Sequence, residues 1–273
     1  MASWSCPVCG AALSADANVF RCDNGHSYDR AKKGYVNLLR SNQSHNKRHG
    51  DDRAMVAART AFLDAGYYAP LCMAIAETAA ASCGDQLIVL DVGCGEGYYT
   101  AAVFDALCAA GKSPDVHGID ISREALIAAH RRLSELSLAV ASLSHIPMLD
   151  ESCDLLLNIF APLDAAEFRR VLRPGGTLLR AVPLERHLWE LKCAVYDVPY
   201  ENKAPDTELP GFRLMERRDI VSRITLPSQP DIQALFMMTP YYYKTSRADQ
   251  EKLKRLETLE TETAFGLLVY ESV

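Results

Sequence analysis

The sequence lacks any run of 18 apolar residues, any internal repeat and any low-complexity tract. A membrane-spanning helix needs about 20 consecutive apolar residues, so we expect no membrane partner. The first six residues also lack the basic and apolar regions of a secretory leader. These absences predict a cytoplasmic protein. In that compartment the nine cysteines are expected to be thiols or metal ligands rather than disulfides.

The glycine spacing of dinucleotide-binding proteins, G-x-G-x-x-G, is also absent. Counted from Gly93, the third glycine would fall on Tyr98, and counted from Gly95 it would fall on Thr100. Residues 87–90 instead indicate an apolar strand that runs into a D-x-G-x-G-x-G turn, followed by an alanine-rich helix at 100–110. A strand, a glycine turn and a helix form the first unit of a nucleotide-binding α/β fold. The turn resembles motif I of the class I S-adenosylmethionine-dependent methyltransferases.

The remaining pattern predicts the architecture of the sheet. Apolar segments that favour strands alternate with segments that favour helices, which indicates a parallel, doubly wound sheet. We predict core strands at 87–90, 116–119, 138–141, 153–159 and 177–182, and closing strands at 220–225 and 265–270. Helices are predicted at 100–110, 122–136, 164–172 and 249–259. The fold class is therefore α/β: a mostly parallel, seven-stranded, Rossmann-like sheet with a small N-terminal zinc-binding module.

The cofactor site is expected at the carboxyl ends of these strands. Asp120 ends the second strand, where an acid holds the ribose hydroxyls in this fold. Ser142 follows the third strand, where the adenine would lie. The other expected cofactor-binding residues belong to the glycine turn or border Asp120: Asp91, Gly93, Gly95, Gly97, Tyr98 and Ile121. Asn158 ends the fourth strand and faces the expected transfer centre, so it is the candidate catalytic residue.

A metal site is predicted near the N-terminus by the pattern C-x2-C-x12-C-x3-H. Its members are Cys6, Cys9, Cys22 and His26. Such closely spaced pairs let two side chains on a tight turn reach one ion, and two pairs complete a tetrahedral shell. The protein fills all four positions, so the zinc would be structural. The alternative is a set of reduced cysteines without a metal.

Charge is unevenly distributed along the chain. Residues 1–60 carry nine Lys and Arg and five Asp and Glu, a balance of +4, whereas residues 61–273 carry a balance of −10. Basic and aromatic residues interleave at 27–39, which is typical of segments that contact phosphates and stack on exposed bases. This basic front favours a polyanionic partner. The alternatives are a solvated surface and a small strand that packs on the zinc module.

We divide the chain into a zinc-binding RNA-recognition module at 1–40, a linker at 41–53 and a methyltransferase domain at 54–273. His45 and His49 could be extra metal ligands, but a solvated loop is the better interpretation of that polar stretch. The tyrosine run at 241–243 predicts either a stacking platform for RNA bases or core packing at the end of a helix.

Together these features resemble one family, the 23S rRNA guanine-N1 methyltransferases that modify the hairpin loop of helix 35. The matching stretches are Cys6-Pro7-Val8-Cys9, residues 34–39, residues 62–68, residues 91–100 and residues 186–192. The resemblance implies that the four ligands above bind zinc. It also implies that Tyr68, the turn with Gly95 and Glu96, and His187 line the S-adenosylmethionine site.

For function, the resemblance implies methyl transfer from S-adenosylmethionine to N1 of a guanine in a 23S rRNA hairpin. Relatives are often dimers, and the apolar helices near Met55 and Leu253 could form such an interface. One alternative is a methyltransferase that acts on a small molecule or another RNA; a small-molecule substrate would leave the zinc module and the basic front unexplained. Another is a cofactor-binding regulator or RNA chaperone without catalysis, which the intact motif and Asp120 disfavour.

Overall fold

The structure is a computed structural model that describes residues 4–40, 50–81 and 84–273. Most of the predicted linker, with His45 and His49, lies outside the described residues. None of the described helices is both long and apolar enough to cross a lipid bilayer.

The N-terminal segment forms two structures. Three short strands, β1 (Ser14–Asp16), β2 (Val19–Arg21) and β3 (Ser27–Asp29), make a small antiparallel sheet of their own. The next strand, β4 (Tyr35–Asn37), leaves this small sheet and pairs in parallel with a strand of the large sheet. The basic and aromatic segment therefore connects the two parts of the chain.

The large sheet and its helices occupy the rest of the chain. After α1 (Arg53–Asp64) and α2 (Ala69–Ala80) come β5 (Gln86–Val92), α3 (Tyr98–Ala109), β6 (Ser113–Asp120), α4 (Arg123–Arg132) and β7 (Ser137–Val140). They are followed by β8 (Cys153–Ile159), α5 (Ala165–Val171), β9 (Leu172–Pro183) and α6 (Trp189–Val195). The last elements are β10 (Phe212–Leu226), α7 (Gln229–Met237), α8 (Arg247–Leu253) and β11 (Leu259–Ser272).

The strand order is β10-β11-β9-β8-β5-β6-β7-β4, with β11 antiparallel to both of its neighbours. The predicted mostly parallel, Rossmann-like sheet is confirmed, but it has eight strands rather than seven. The eighth is β4, whose Val36 lies opposite Ala139 of β7. A three-residue strand at a sheet edge carries little periodic signal, so the sequence pattern assigned it to the zinc module.

Three predicted elements end at different residues. Helix α4 stops at Arg132 rather than 136. Helix α5 ends at Val171, one residue before the predicted end at 172, and residues 173–176 belong to β9, where the pairing with β8 is irregular. The C-terminal helix ends at Leu253, and Leu259 begins β11.

The zinc module packs on one face of the large sheet. Trp4 is buried and makes an edge-to-face contact with His117 of β6, with ring centroids 4.9 Å apart. Val36 and Leu38 join the same apolar cluster as Ile119. The module and the sheet therefore share a core, and burying this apolar surface stabilises both.

Two side chains that mark the helices proposed for an interface are buried: Met55 and Leu253 lie within the interior of the chain. Dimer formation through the helices near them stays a prediction. Hydrophobic periodicity identifies a buried helix face but cannot say whether the same chain or a second chain covers it.

Candidate functional site

The glycine turn after β5 has the backbone that the motif requires. Gly93, Gly95 and Gly97 have φ values of 80°, 56° and 81°. The N–H groups of Gly93 and Cys94 donate to Ile119 O at 2.8 and 3.0 Å, which fixes the turn to the end of β6. Gly97 is the N-cap of α3, so the N-terminus of that helix lies at the glycine turn, where its N–H groups can face a ligand.

Asp91 lies beneath the turn and is almost fully buried. Its Oδ2 accepts a 2.6 Å hydrogen bond from the Thr100 hydroxyl. Its Oδ1 is buried and has no hydrogen-bond partner among the described residues. Burial raises the pKa of Asp91 to about 7, against the lowering effect of the Thr100 hydrogen bond. A buried acceptor with a free oxygen indicates a missing donor or cation.

Asp120 ends β6 as predicted. Its two oxygens accept hydrogen bonds from the backbone N–H groups of Gly95, at 3.0 Å, and Ser122, at 2.7 Å. Burial raises the pKa of Asp120, while these two N–H donors lower it. Each carboxylate oxygen can accept more than one hydrogen bond, so the acid can still receive ribose hydroxyls.

Glu96, at the tip of the turn, is buried and approached by Arg132 of α4. Arg132 Nη2 lies 3.5 Å from Glu96 Oε1, and its Nη1 lies 2.9 Å from Asp64 of α1. The same guanidinium stacks on the Tyr98 ring, 5.5 Å from its centroid. Burial raises the pKa of Glu96, and the nearby Arg132 opposes this. Arg132 thus joins the glycine turn to α1.

Tyr68 and His187 are 119 positions apart in sequence and meet in the structure, with Tyr68 Oη 3.4 Å from His187 Nε2. The Ala264 N–H donates to His187 Nδ1 at 3.2 Å. Burial lowers the pKa of His187 to about 3, so its ring is neutral and carries its proton on Nε2. His187 therefore donates to Tyr68, and the Tyr68 proton is left for another acceptor.

Asn158 is the second-last residue of β8 and is 1% exposed. Its Nδ2 donates to Pro162 O at 3.0 Å, which fixes the orientation of the amide because only the nitrogen can donate. Its buried Oδ1 has no protein partner in the part of the chain that the structure describes. The loop that follows lies against the cofactor turn: a Cβ on Gly93 would be 2.7 Å from Ala161 Cβ. Asn158 thus presents an acceptor next to the glycine turn.

The same loop carries an exposed aromatic ring. Phe160 has a φ of 57° and is 42% exposed. Its ring centroid lies 6.4 Å from that of Tyr68, 6.2 Å from Tyr99 and 5.4 Å from Phe265. A left-handed backbone at a bulky residue costs about 1–3 kcal/mol and occurs mainly at functional sites.

These features fit S-adenosylmethionine. Glycines at positive φ form a cradle, Asp91 and Tyr99 each have a buried polar atom with no partner within the described residues, and Asp120 retains acceptor capacity. Of the other predicted contacts, the Ser142 hydroxyl is 2.9 Å from that of Ser144. Ile121 lies against Gly50, where an added Cβ would be 2.9 Å from Ile121 Cγ2. Assignment of individual cofactor contacts stays a prediction.

No individual role was predicted from the sequence for Tyr99, Thr100, Arg132 or Phe160, although residues 91–100 were a matching stretch and Phe160 directly follows the predicted fourth strand. The contact of Thr100 with Asp91 could have been predicted, because Thr100 lies in the first turn of α3, directly after the glycine turn that begins with this buried acid. The others depend on contacts between separate elements, and no local pattern reports them.

The four predicted metal ligands converge, with all their ligand atoms within 4.8 Å of one another. Cys9 Sγ and Cys22 Sγ are 3.7 Å apart, and His26 Nδ1 is 3.4 Å from Cys22 Sγ and 3.6 Å from Cys6 Sγ. A tetrahedral zinc with bonds of about 2.3 Å to sulfur and 2.0–2.1 Å to nitrogen requires separations of about 3.8 and 3.6 Å. The cluster fits a structural zinc ion.

Further hydrogen bonds support the thiolates. Asn24 Nδ2 donates to Cys9 Sγ at 3.3 Å, and the Tyr28 hydroxyl lies 3.1 Å from Cys6 Sγ. The Asn24 hydrogen bond is the main cause that lowers the pKa of Cys9, to about 7. Such outer partners orient the ligands of a metal and tune its affinity.

Comparison with known proteins agrees with this geometry. Residues 4–47 match the zinc-ribbon family described as RlmA, N-terminal, and residues 89–176 match a methyltransferase domain. The YcgJ protein of Bacillus subtilis has a similar fold, with a TM-score of 0.50, 14% identity, and coverage of 74% of this chain and 97% of that one. Fold and site together define an S-adenosylmethionine-dependent methyltransferase with an N-terminal zinc ribbon.

Two relatives specify the family. The 23S rRNA (guanine(748)-N(1))-methyltransferase of Streptomyces fradiae is 42% identical over 195 residues, which cover 70% of this chain and 66% of the relative. A Micromonospora griseorubida protein, provisionally named a 23S rRNA (guanine-N(1)-)-methyltransferase, is 41% identical over 68% of this chain and 67% of the relative. The matches thus span about two thirds of these relatives. The chain belongs to the 23S rRNA guanine-N1 methyltransferase family.

Proposed function

We propose that this protein transfers a methyl group from S-adenosylmethionine to N1 of a guanine in the helix 35 hairpin loop of 23S rRNA. The observation that carries the proposal is the 42% identity to the Streptomyces fradiae enzyme. The fold alone would fit a small-molecule methyltransferase equally well. We further propose that the enzyme acts in the cytoplasm.

The surface of the zinc ribbon and its connection supports an RNA substrate. Five basic side chains there are exposed: Arg21, Arg30, Lys32, Lys33 and Arg40. Because the ribbon shares its core with the large sheet, these charges are held at a fixed position relative to the cofactor turn. Basic groups on a rigid body can position a nucleic-acid backbone without reading its sequence.

The chemistry of guanine N1 determines what the protein must do for the methyl acceptor. When bound, the cofactor supplies an electrophilic methyl group. N1 carries a proton and is a poor nucleophile until that proton leaves, and the purine must be unstacked to reach the pocket. The free Asn158 Oδ1 can accept a hydrogen bond from the guanine edge, and the Tyr68 hydroxyl can donate one.

His187 is not suited to be the base in this arrangement. Its Nδ1 accepts the Ala264 N–H, and its Nε2 proton faces Tyr68. We therefore assign His187 the role of positioning Tyr68. Asn158 is the residue that we expect to contact the guanine.

The test is to incubate the protein with labelled S-adenosylmethionine and unmodified 23S rRNA, and to map the product by primer extension. A methyl on N1 blocks base pairing, so a stop at one guanine of the helix 35 loop supports substrate, atom and position together. Label without a stop would mean another atom. Bound cofactor without labelled RNA would favour a small-molecule substrate or a regulatory protein.

Asn158→Ala tests the acceptor role within the same assay. Loss of one hydrogen bond to the reacting base should lower kcat/KM for the hairpin by about 10- to 100-fold. The dissociation constant of S-adenosylmethionine should stay within about twofold. Unchanged turnover would remove Asn158 from the mechanism.

A further inference from the structure

Phe160 combines two unfavourable features at one position. Its backbone is left-handed, with a φ of 57°, and 42% of its side chain is exposed. Glycine would remove the backbone strain, and a polar side chain would remove the exposed apolar surface. A bulky residue that keeps both features next to the loop that contacts the glycine turn calls for a functional explanation.

The surroundings hold the backbone of Phe160 in place. Its N–H donates to Ala181 O of β9 at 3.1 Å. The next residue, Ala161, lies against the cofactor turn at Gly93. These two contacts hold the Phe160 backbone between β9 and the glycine turn.

Other aromatic rings already fill the space beneath Phe160. Phe265, Tyr99 and Tyr68 have ring centroids 5.4 to 6.4 Å away, and two of the three interplanar angles lie near 50–60°. The exposed part of the Phe160 ring therefore points away from a filled core. Two residues earlier, the Asn158 side chain is buried, and its Oδ1 has no hydrogen-bond partner among the described residues.

We propose that Phe160 is the surface on which the target purine stacks once it has left its loop, an inference that rests on the function proposed above. A purine offers a polar edge and a flat π face. In this arrangement Asn158 binds the edge and Phe160 stacks on the face. The end of β8 and the loop that follows it therefore determine both the position and the tilt of the base. The strained backbone keeps the ring extended before the RNA arrives.

The experiment compares Phe160→Ala, Phe160→Gly and Phe160→Tyr with Leu163→Ala. Leu163 lies in the same loop and is similarly exposed, at 39%, but has no aromatic face. For each protein we would measure kcat and KM on the helix 35 hairpin, the dissociation constant of S-adenosylmethionine by calorimetry, and the melting temperature. A hairpin with 2-aminopurine at the mapped guanine reports stacking, because an aromatic neighbour quenches its fluorescence.

The stacking role predicts a specific pattern. Phe160→Ala and Phe160→Gly should lower kcat/KM for RNA by about 10- to 100-fold, while cofactor affinity stays within about twofold. Phe160→Tyr and Leu163→Ala should stay near wild type. Phe160→Gly should melt no lower than Phe160→Ala, so that lost activity cannot be ascribed to strain or unfolding. Extruded 2-aminopurine should be brighter with Phe160→Ala than with wild type.

Three results would overturn the inference. If wild type methylates the hairpin and Phe160→Ala does so equally well, the stacking role is wrong and the proposed function stands. If Phe160→Ala weakens cofactor and RNA binding by the same factor, the ring belongs to the cofactor site. If wild type leaves the hairpin unmethylated, the proposed function fails and the stacking role fails with it.

Discussion

The Thr100 hydroxyl donates a 2.6 Å hydrogen bond to Asp91 Oδ2, and this bond leaves Asp91 Oδ1 as the free acceptor beneath the glycine turn. We expect Thr100→Val, which keeps the shape and removes the donor, to lower the free energy of unfolding by about 1–3 kcal/mol. It should also weaken cofactor binding, because the pKa of Asp91 rises further. Thermal melts and calorimetry would measure both effects. Thr60→Val is the control, since the Thr60 hydroxyl donates to the Val56 carbonyl within α1.

Asp91 should make cofactor affinity depend on pH. Burial raises its pKa to about 7, so in the free protein it is largely protonated below that pH. A positively charged group of S-adenosylmethionine, which we predict at Asp91 Oδ1, would require the carboxylate. Affinity should therefore fall by up to about tenfold per pH unit below pH 7 and level off above pH 8. Titrations at pH 6, 7 and 8 test this, and Asp91→Asn should bind weakly at every pH.

The raised pKa of Asp91 also affects the stability of the cofactor-free protein, which should decrease as the pH rises. Because the folded pKa of Asp91 lies above its ordinary value of 3.8, the proton stabilises the fold at low pH. This contribution is complete below pH 3.8 and is lost as the pH rises through about 7. A pH series of thermal melts without cofactor should show this loss in wild type and not in Asp91→Asn.

Gly93 and Gly111 form a matched pair. Both have positive φ, 80° and 78°, but a Cβ on Gly93 would be 2.7 Å from Ala161 Cβ, whereas one on Gly111 would meet no atom within 4 Å. Gly111→Ala should cost about 1–2 kcal/mol of stability and leave methyl transfer intact. Gly93→Ala should also displace the loop that follows β8, next to Asn158, and lower kcat by roughly 100-fold. Equal activity of the two variants would contradict the close contact between turn and loop.

Zinc should stabilise the whole chain because the ribbon shares its core with the sheet. Cys22→Ser should abolish stoichiometric zinc and lower a single melting transition by roughly 10 °C. Cys108→Ser is the control, since Cys108 is an exposed thiol on α3. In a Trp189→Phe background, Trp4 emission should shift to longer wavelength when a chelator removes the metal. Two separate transitions, with the sheet melting as in wild type, would contradict the shared core.

Much of this architecture was predictable, and the reasons are local. The four zinc ligands lie within 21 residues, so their spacing alone encodes the site. The glycine turn and Asp120 each end a strand of strong apolar character. Tyr68 and His187 were predicted only from the resemblance to a family. Tyr68 lies at the start of α2 and His187 lies in the turn between β9 and α6, and no spacing rule connects two such positions.

The features that could not be predicted depend on tertiary contacts. Strand β4 is too short to carry a periodic signal, and its partner β7 lies far along the chain. In the tyrosine run, Tyr242 is partly buried against Phe236, which supports the core-packing alternative for that ring, whereas Tyr243 is 64% exposed and its role as a stacking platform stays a prediction. The left-handed backbone of Phe160 could not be predicted from the sequence. The contacts that hold it come from β9 and the glycine turn, and neither is adjacent to Phe160 in sequence.

The pairing of β4 with β7 also bears on how the protein is made. During synthesis the zinc ligands and β4 emerge from the ribosome early, whereas β7 (residues 137–140) emerges only after β5 and β6. The ribbon can therefore bind its metal and fold locally while its docking edge does not yet exist. Until β7 is synthesised, the nascent chain exposes Trp4, Val36 and Leu38, which makes this interval the stage at which aggregation or chaperone binding is most expected.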